Sequence, residues 1–321
     1  MSELASESSA RRELASESSA RRELASESSA RRELASESSA RNGQAPAKLV
    51  ASGVRIGYRT REGRSSRFVT VVDGIDLRVR EGEFLCIVGP SGCGKTTFMS
   101  AITGMLPLAG GRFELDGEPI TGPGTDRAMV FQGAQLLPWR TVRGNVGYGL
   151  EVLGRSRVER TARVDELLDL VGLGEFADHY PHQLSGGMQQ RANLARALAV
   201  DSDVLLLDEP FAALDAQTRE HMQEELTRIW AQQKKTSVLV THSISEAVFL
   251  ADRVVVFGPR PAQVRKIVEI ELSRPRHLDV KHTAEFRELE RTVWDLIESG
   301  HGAGAAAETG GGAPTPRRTV Q

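Results

Sequence analysis

Apolar and polar residues alternate over residues 49–58 and again over 75–79. A period of two predicts half-buried antiparallel strands. The polar stretch between them, 59–67, predicts a turn. Residues 84–88 (Phe-Leu-Cys-Ile-Val) are apolar without a break, as in a strand buried on both faces. A helix is predicted over 95–105. Short apolar runs follow at 128–131, 204–207, 237–240 and 254–257, with Met222, Leu226 and Ile229 marking a helix between the second and third. Strands alternating with helices predict a parallel α/β sheet. From 136 to 182 the period turns helical: Val164, Leu167, Leu168 and Val171 follow i, i+3, i+4, i+7, and Gly172 supplies a stop. Phe286, Leu289, Val293, Leu296 and Ile297 predict a last amphipathic helix. From Gly300 the chain is rich in Gly, Ala and Pro and is expected to fray.

The first forty residues repeat Glu-Leu-Ala-Ser-Glu-Ser-Ser-Ala-Arg-Arg with a period of ten. One Leu per copy gives a helix no stripe to bury, so 1–47 is expected to be a disordered repeat tail. The folded unit is expected over 48–299, with a helical subdomain at about 136–183 and a disordered tail at 300–321. At 40% hydrophobic and 26% charged, the composition is that of a globular protein. A net charge of -2 offers no field for nucleic acid, and the basic run 55–67 reads as a solvated loop. Cys86 and Cys93 read as reduced thiols, one in a strand and one in a glycine-rich loop. No run approaches the ~18–20 apolar residues of a membrane span, and no apolar leader is expected at the N-terminus.

Chemistry enters with Gly89, Pro90, Ser91, Gly92, Cys93, Gly94, Lys95, Thr96 and Thr97. The run satisfies G-x-x-x-x-G-K-[ST] between a strand and a helix. Its glycines let successive N–H groups face one concavity, where they bind phosphate oxygens. Lys95 offers an ammonium to β and γ phosphates, and Thr96 a hydroxyl to Mg²⁺. Asp208 and Glu209 end a strand at the ligand edge of such a sheet. Asp208 suits Mg²⁺, and Glu209 suits a base for the attacking water. Gln132 ends another strand; its amide can meet a metal-bound water and a phosphate together. His242 ends a third and can donate to a γ-phosphate. Tyr58 either stacks on an adenine ring or packs in the core.

Ser185, Gly186 and Gly187 open a helix running to about Val200. A Ser cap followed by two glycines leaves N–H groups free for an anion. This is a second phosphate site in a chain whose first already accommodates one nucleotide's phosphates. Both serve a single ATP if they come from different subunits, two ATPs lying between two copies in a C2 pair.

With these segments in place, the chain resembles the nucleotide-binding subunit of ATP-binding cassette transporters. GPSGCGKTT (89–97) matches the Walker A loop, FQ (131–132) the Q-loop, LSGGMQQR (184–191) the family signature and LLLDEP (205–210) the Walker B strand. Ala213, Leu214 and Asp215 match the D-loop, and Thr241-His242 the switch histidine. The resemblance covers about 48–299. It implies a phosphate-loop α/β core with a parallel sheet, an N-terminal antiparallel β subdomain and an inserted α-helical subdomain. It implies ATP and Mg²⁺, with Asp215 beside the nucleotide and Lys95, Gln132, Glu209 and His242 in the chemistry. Thr96, Gln132 and Asp208 are the implied metal set. LLPWRTVRGNV (136–146), SISEAVFLADRVVVFGPRPAQV (243–264) and the closing helix resemble the importer branch for nitrate, sulfonate and taurine. Implied partners are a second copy or a homologous cassette, a membrane permease and, indirectly, a solute-binding protein, with the chain peripheral at the cytoplasmic face of the membrane. Trp139 is either at the permease contact or part of the helical lobe's core. The rival reading is a cassette ATPase of translation or DNA repair. Two residues depart from the pattern: Ser243, where an acid is usual, and Asn193, which nothing in the sequence explains.

Overall fold

The computed structural model describes residues 47–62 and 65–305. The repeat segment, the tail beyond 305 and residues 63–64 lie outside the described residues. Two antiparallel strands open the fold, β1 (Ala47–Glu62) and β2 (Ser65–Arg80). Their ladder runs on through Arg59↔Phe68 and Thr60↔Arg67 to Glu62↔Ser65. The polar stretch expected as a turn is therefore mostly strand. The ribbon there has no core beneath it, so its side chains carry no apolar period to read.

The buried strand β3 (Phe84–Val88) leads into helix α1 (Lys95–Ile102). Strands β4 (Gly110–Leu115) and β5 (Glu118–Pro119) then complete a four-stranded antiparallel sheet in the order β2-β1-β4-β5. Next come β6 (Arg127–Val130), the helices α2 (Val142–Val146), α3 (Tyr148–Val152) and α4 (Arg157–Leu170), and α5 (Gly186–Ala199). Ser156 and Glu159 form a reciprocal cap at the start of α4. The chain continues through β7 (Val204–Asp208), α6 (Ala216–Gln233), β8 (Thr236–Val240), α7 (Ile244–Leu250), β9 (Arg253–Phe257), β10 (Val264–Glu269) and α8 (Ala284–Ala305). Helix α8 continues past Gly300, where fraying was expected; a glycine weakens a helix by about 1 kcal/mol without ending it.

The second sheet has the order β10-β9-β3-β8-β7-β6. Strands β9, β3, β8, β7 and β6 are mutually parallel, and β10 is an antiparallel edge. Side chains of the inner strands divide between two cores by the period of two. Phe84, Cys86 and Val88 face the core shared with α5 and the helical insertion, whereas Leu85 and Ile87 face the antiparallel sheet and α1. Phe98 of α1 is fully buried and meets Phe113 of β4 and Phe257 of β9 edge-on, at centroid distances of 5.3 and 5.5 Å. Each such burial is worth about 1.5–3 kcal/mol, and the position of α1 fixes the loop before it.

Beyond β10 the chain is riveted to the body by Arg276, which is 3% exposed. Its guanidinium donates to the carbonyls of Val248, Phe249, Ala251, Ile270 and Leu272. Most of these are at the C-terminal end of α7, where carbonyls lack helical partners and attract a cation. Burial, with the charge of Arg274, lowers the Arg276 pKa to about 10. Among the described residues no helix is long and apolar enough to cross a membrane.

Candidate nucleotide site

Four neighbouring strands, β3, β8, β7 and β6, deliver their C-terminal ends to one edge of the sheet. The loop 89–94 leaves β3 and wraps the start of α1. Gly94 takes φ 123°, and a Cβ there would stand 2.9 Å from Cγ1 of Val71. No larger residue fits both the dihedral and the space. Lys95 is 7% exposed, and its Nζ donates to the carbonyls of Gly89 and Pro90 at 2.8 and 3.0 Å. Its ammonium is thus held inside the loop. Cys93 is buried beneath it, and burial pushes its thiol pKa up, against the pull of Lys95. Ser91 and Gly92 are exposed on the loop, Thr96 is exposed in the first turn of α1, and Thr97 is half-buried.

Oγ1 of Thr96 donates to Oδ1 of Asp208 at 3.2 Å. A hydroxyl and a carboxylate, both hard oxygens, suit Mg²⁺, which prefers few protein ligands beside phosphate and water. Asp208 is 1% exposed; burial raises its pKa, and the Thr96 hydrogen bond opposes the shift. Glu209 follows at φ 47°, a left-handed conformation uncommon outside glycine. Its N–H donates to the carbonyl of Val240 at 2.9 Å. The turn aims its carboxylate at the next two strand ends. Nε2 of Gln132 donates to Oε2 of Glu209 at 2.9 Å, and Nδ1 of His242 lies 3.4 Å from the same oxygen.

His242 is placed from behind. Oγ1 of Thr241 donates to Oε2 of Glu246 at 2.6 Å, and the Ser243 N–H donates back to that hydroxyl at 3.0 Å. Burial raises the pKa of Glu246. Ser243 caps α7 by accepting from the Glu246 N–H at 3.3 Å. That is the work of a neutral N-cap, which serine does as well as aspartate, so this departure has a structural account. Asn193 gains one too: its amide bonds to the carbonyl of Phe131, beside Gln132. The sequence marked the position and gave no partner for it.

The structure therefore brings together Lys95, Thr96, Asp208, Glu209, Gln132 and His242. Tyr58 is 49% exposed on β1, and its hydroxyl accepts from Nη2 of Arg260 at 2.8 Å. It is not a core residue. Arg260 and Glu246 lie in the segment 243–264, but sequence reasoning gave neither a role. Ser185, Gly186 and Gly187 share none of these contacts. Ser185 caps α5 through the Met188 N–H at 3.3 Å, and Ser185 and Gly186 are exposed. A Cβ at Gly187 would meet Leu214 at 3.5 Å, so this helix start borders the 211–215 turn. Asp215 caps α6 through the Thr218 N–H at 3.0 Å, and that bond lowers its pKa. Trp139 is 71% exposed, which excludes it from the helical lobe's core.

Residues 72–212 match the family model described as ABC transporter. The chain is 49% identical over 230 residues to an uncharacterized ABC transporter ATP-binding protein of Methanocaldococcus jannaschii, covering 72% of this chain and 85% of that one. It is 45% identical over 243 residues to a taurine import ATP-binding protein of Rhizobium johnstonii, covering 74% and 92%. A solved dimeric ATP-binding cassette in a post-hydrolysis state, bound to ADP and Pi, matches at 30% identity with a TM-score of 0.62, over 70% of this chain and all of the other. The chain belongs to the ABC transporter family as an ATP-binding subunit, an ATPase whose hydrolysis is coupled to transport.

Proposed function

We propose that two copies of this chain close head to tail on two Mg-ATP and drive a membrane importer for a small solute of the nitrate, sulfonate or taurine kind. The observation that carries the pairing is the separation of two phosphate-binding devices. The loop 89–97 stands with Asp208, Glu209, Gln132 and His242, and the exposed Ser185 and Gly186 share none of those contacts. A partner's Ser185, Gly186 and Gly187 supply the missing donors. The dimeric form of the solved cassette supports this arrangement, and the taurine importer subunit supports the class of solute.

In this reading Lys95 leaves the carbonyls of Gly89 and Pro90 for the β and γ phosphates. Thr96, Asp208 and Gln132 would hold Mg²⁺, which would supply charge neutralisation for the phosphates. Glu209 orients and deprotonates the attacking water, His242 donates to the γ-phosphate, and Asp215 borders the seam. Tyr58 stacks on adenine. The exposed Trp139 meets the permease. The chain then sits peripherally at the cytoplasmic face, and a solute-binding protein acts through the permease.

The test is a mixed dimer in the assembled transporter. Subunits carrying Ser185→Arg are combined with subunits carrying Lys95→Ala. One seam then keeps both its loop and its serine-led helix start if the sites are shared, and the other loses both. If sites lie within one subunit, every site is broken. Turnover clearly above that of either homodimeric variant supports the shared seam, and turnover no higher than theirs sinks it.

A further inference from the structure

The helix that begins at Ser185 also reaches the loop that carries Gln132. Nδ2 of Asn193 donates to the carbonyl of Phe131 at 3.3 Å, and Nε2 of Gln190 donates to the same oxygen at 3.4 Å. Arg196, one turn on, donates through Nη1 to the carbonyl of Gln135 at 2.9 Å and through Nη2 to Oδ1 of Asn193 at 2.8 Å. Asn193 is 1% exposed and Gln190 2%. One face of α5 therefore grips the 131–135 loop at both ends, and Gln132 lies between the grips. At the far grip the loop turns through Gln135 at φ 32°. The Asn193 amide can face only one way. Reversed, its oxygen would meet a carbonyl and its NH₂ would meet a guanidinium. Arg196 finds amide and carbonyl oxygens there in place of a carboxylate, which suits a fork that reads geometry more than charge.

We propose that Asn193, locked by Arg196, is a positioning residue that makes Gln132 and the Ser185 helix start move as one body. A neutral amide suits the task because it donates to the loop and accepts from the lock at once. Alanine does neither, and an ionised aspartate cannot donate. When a partner's nucleotide draws on the Ser185 end, the clamp carries that displacement to the Gln132–Glu209 bond. The inference rests on the roles proposed above for Gln132 and Ser185.

The experiment is a double-mutant cycle on ATP turnover by the full chain: intact, Asn193→Ala, Gln132→Ala and both together. Asn193→Ala is expected to lower kcat about five-fold while the KM for ATP stays within about two-fold. In the Gln132→Ala background it should change nothing further, a silence that a mere packing role would not produce. An equal loss in both backgrounds overturns the inference and leaves the role of Gln132 intact, as does an unchanged kcat for Asn193→Ala alone. A Gln132→Ala chain that turns over at the intact rate removes the role of Gln132 itself, and the clamp's purpose with it. If Asn193→Ala does not fold, Arg196→Lys replaces it in the same cycle, because lysine keeps the charge and lacks the fork; the same outcomes decide.

Discussion

Oε2 of Glu209 accepts from Nε2 of Gln132 at 2.9 Å and stands 3.4 Å from Nδ1 of His242. One carboxylate oxygen thus joins the ends of β6, β7 and β8. Glu209 reaches it from a left-handed backbone, a conformation that costs on the order of 1–3 kcal/mol and persists where surroundings enforce it. Here the enforcing bond is its own N–H on the Val240 carbonyl.

Glu209→Gln keeps the size and the reach and removes the ability to take a proton. We expect kcat to fall by at least about 10²-fold with ATP affinity within about two-fold, measured by turnover and equilibrium nucleotide binding. Near-intact turnover would remove Glu209 as the base.

Phe98 joins α1 to both sheets, so Phe98→Ala should destabilise the fold by about 3–5 kcal/mol, read by denaturant unfolding. The loop it steadies should bind ATP more weakly as well. A loss under about 1 kcal/mol would mean that the Phe113 and Phe257 rings collapse into the space.

Glu246 is a buried carboxyl whose pKa lies above its ordinary 4.5. The folded state then holds a proton that the unfolded state releases. Stability from this group is full below pH 4.5 and is lost as pH rises through the raised value. Glu246→Gln should therefore gain melting temperature relative to the intact chain as pH rises above 4.5. A variant that loses ground over this interval would show the carboxylate to be charged and sustained by Arg219, whose Nε is 3.8 Å away.

Arg276→Met fills similar volume with no donor. The carbonyls of Phe249 and Ala251 then lose their partner, and a destabilisation of about 3 kcal/mol follows. Chemical denaturation checks this, and a neutral outcome would show that water reaches the end of α7.

The inner strands were legible because burial on both faces makes them continuous apolar runs: Phe84–Val88 and the strand ending at Asp208 need no alternation to be seen. The long ribbon past Tyr58 was not, since Arg59, Arg61 and Arg67 face solvent and pairing by backbone leaves no trace in side chains. The short strand Glu118–Pro119 was missed for the same reason. At the site, residue types announced the carboxylates and the phosphate loop. What holds them was hidden: Glu246 behind Thr241 and Asn193 against Phe131 act on groups distant in sequence. Ser243 read as a lost charge and proved to be a helix cap.

The five groups proposed for the chemistry hang from four neighbouring strands: Lys95 after β3, His242 after β8, Asp208 and Glu209 at β7, Gln132 after β6. Neighbouring strands lie about 4.8 Å apart, so the sheet is a ruler that sets the spacing of the groups without constraining their identity. Any one can be exchanged while the others keep their places. A single substitution at one strand end can therefore slow turnover on an unaltered frame.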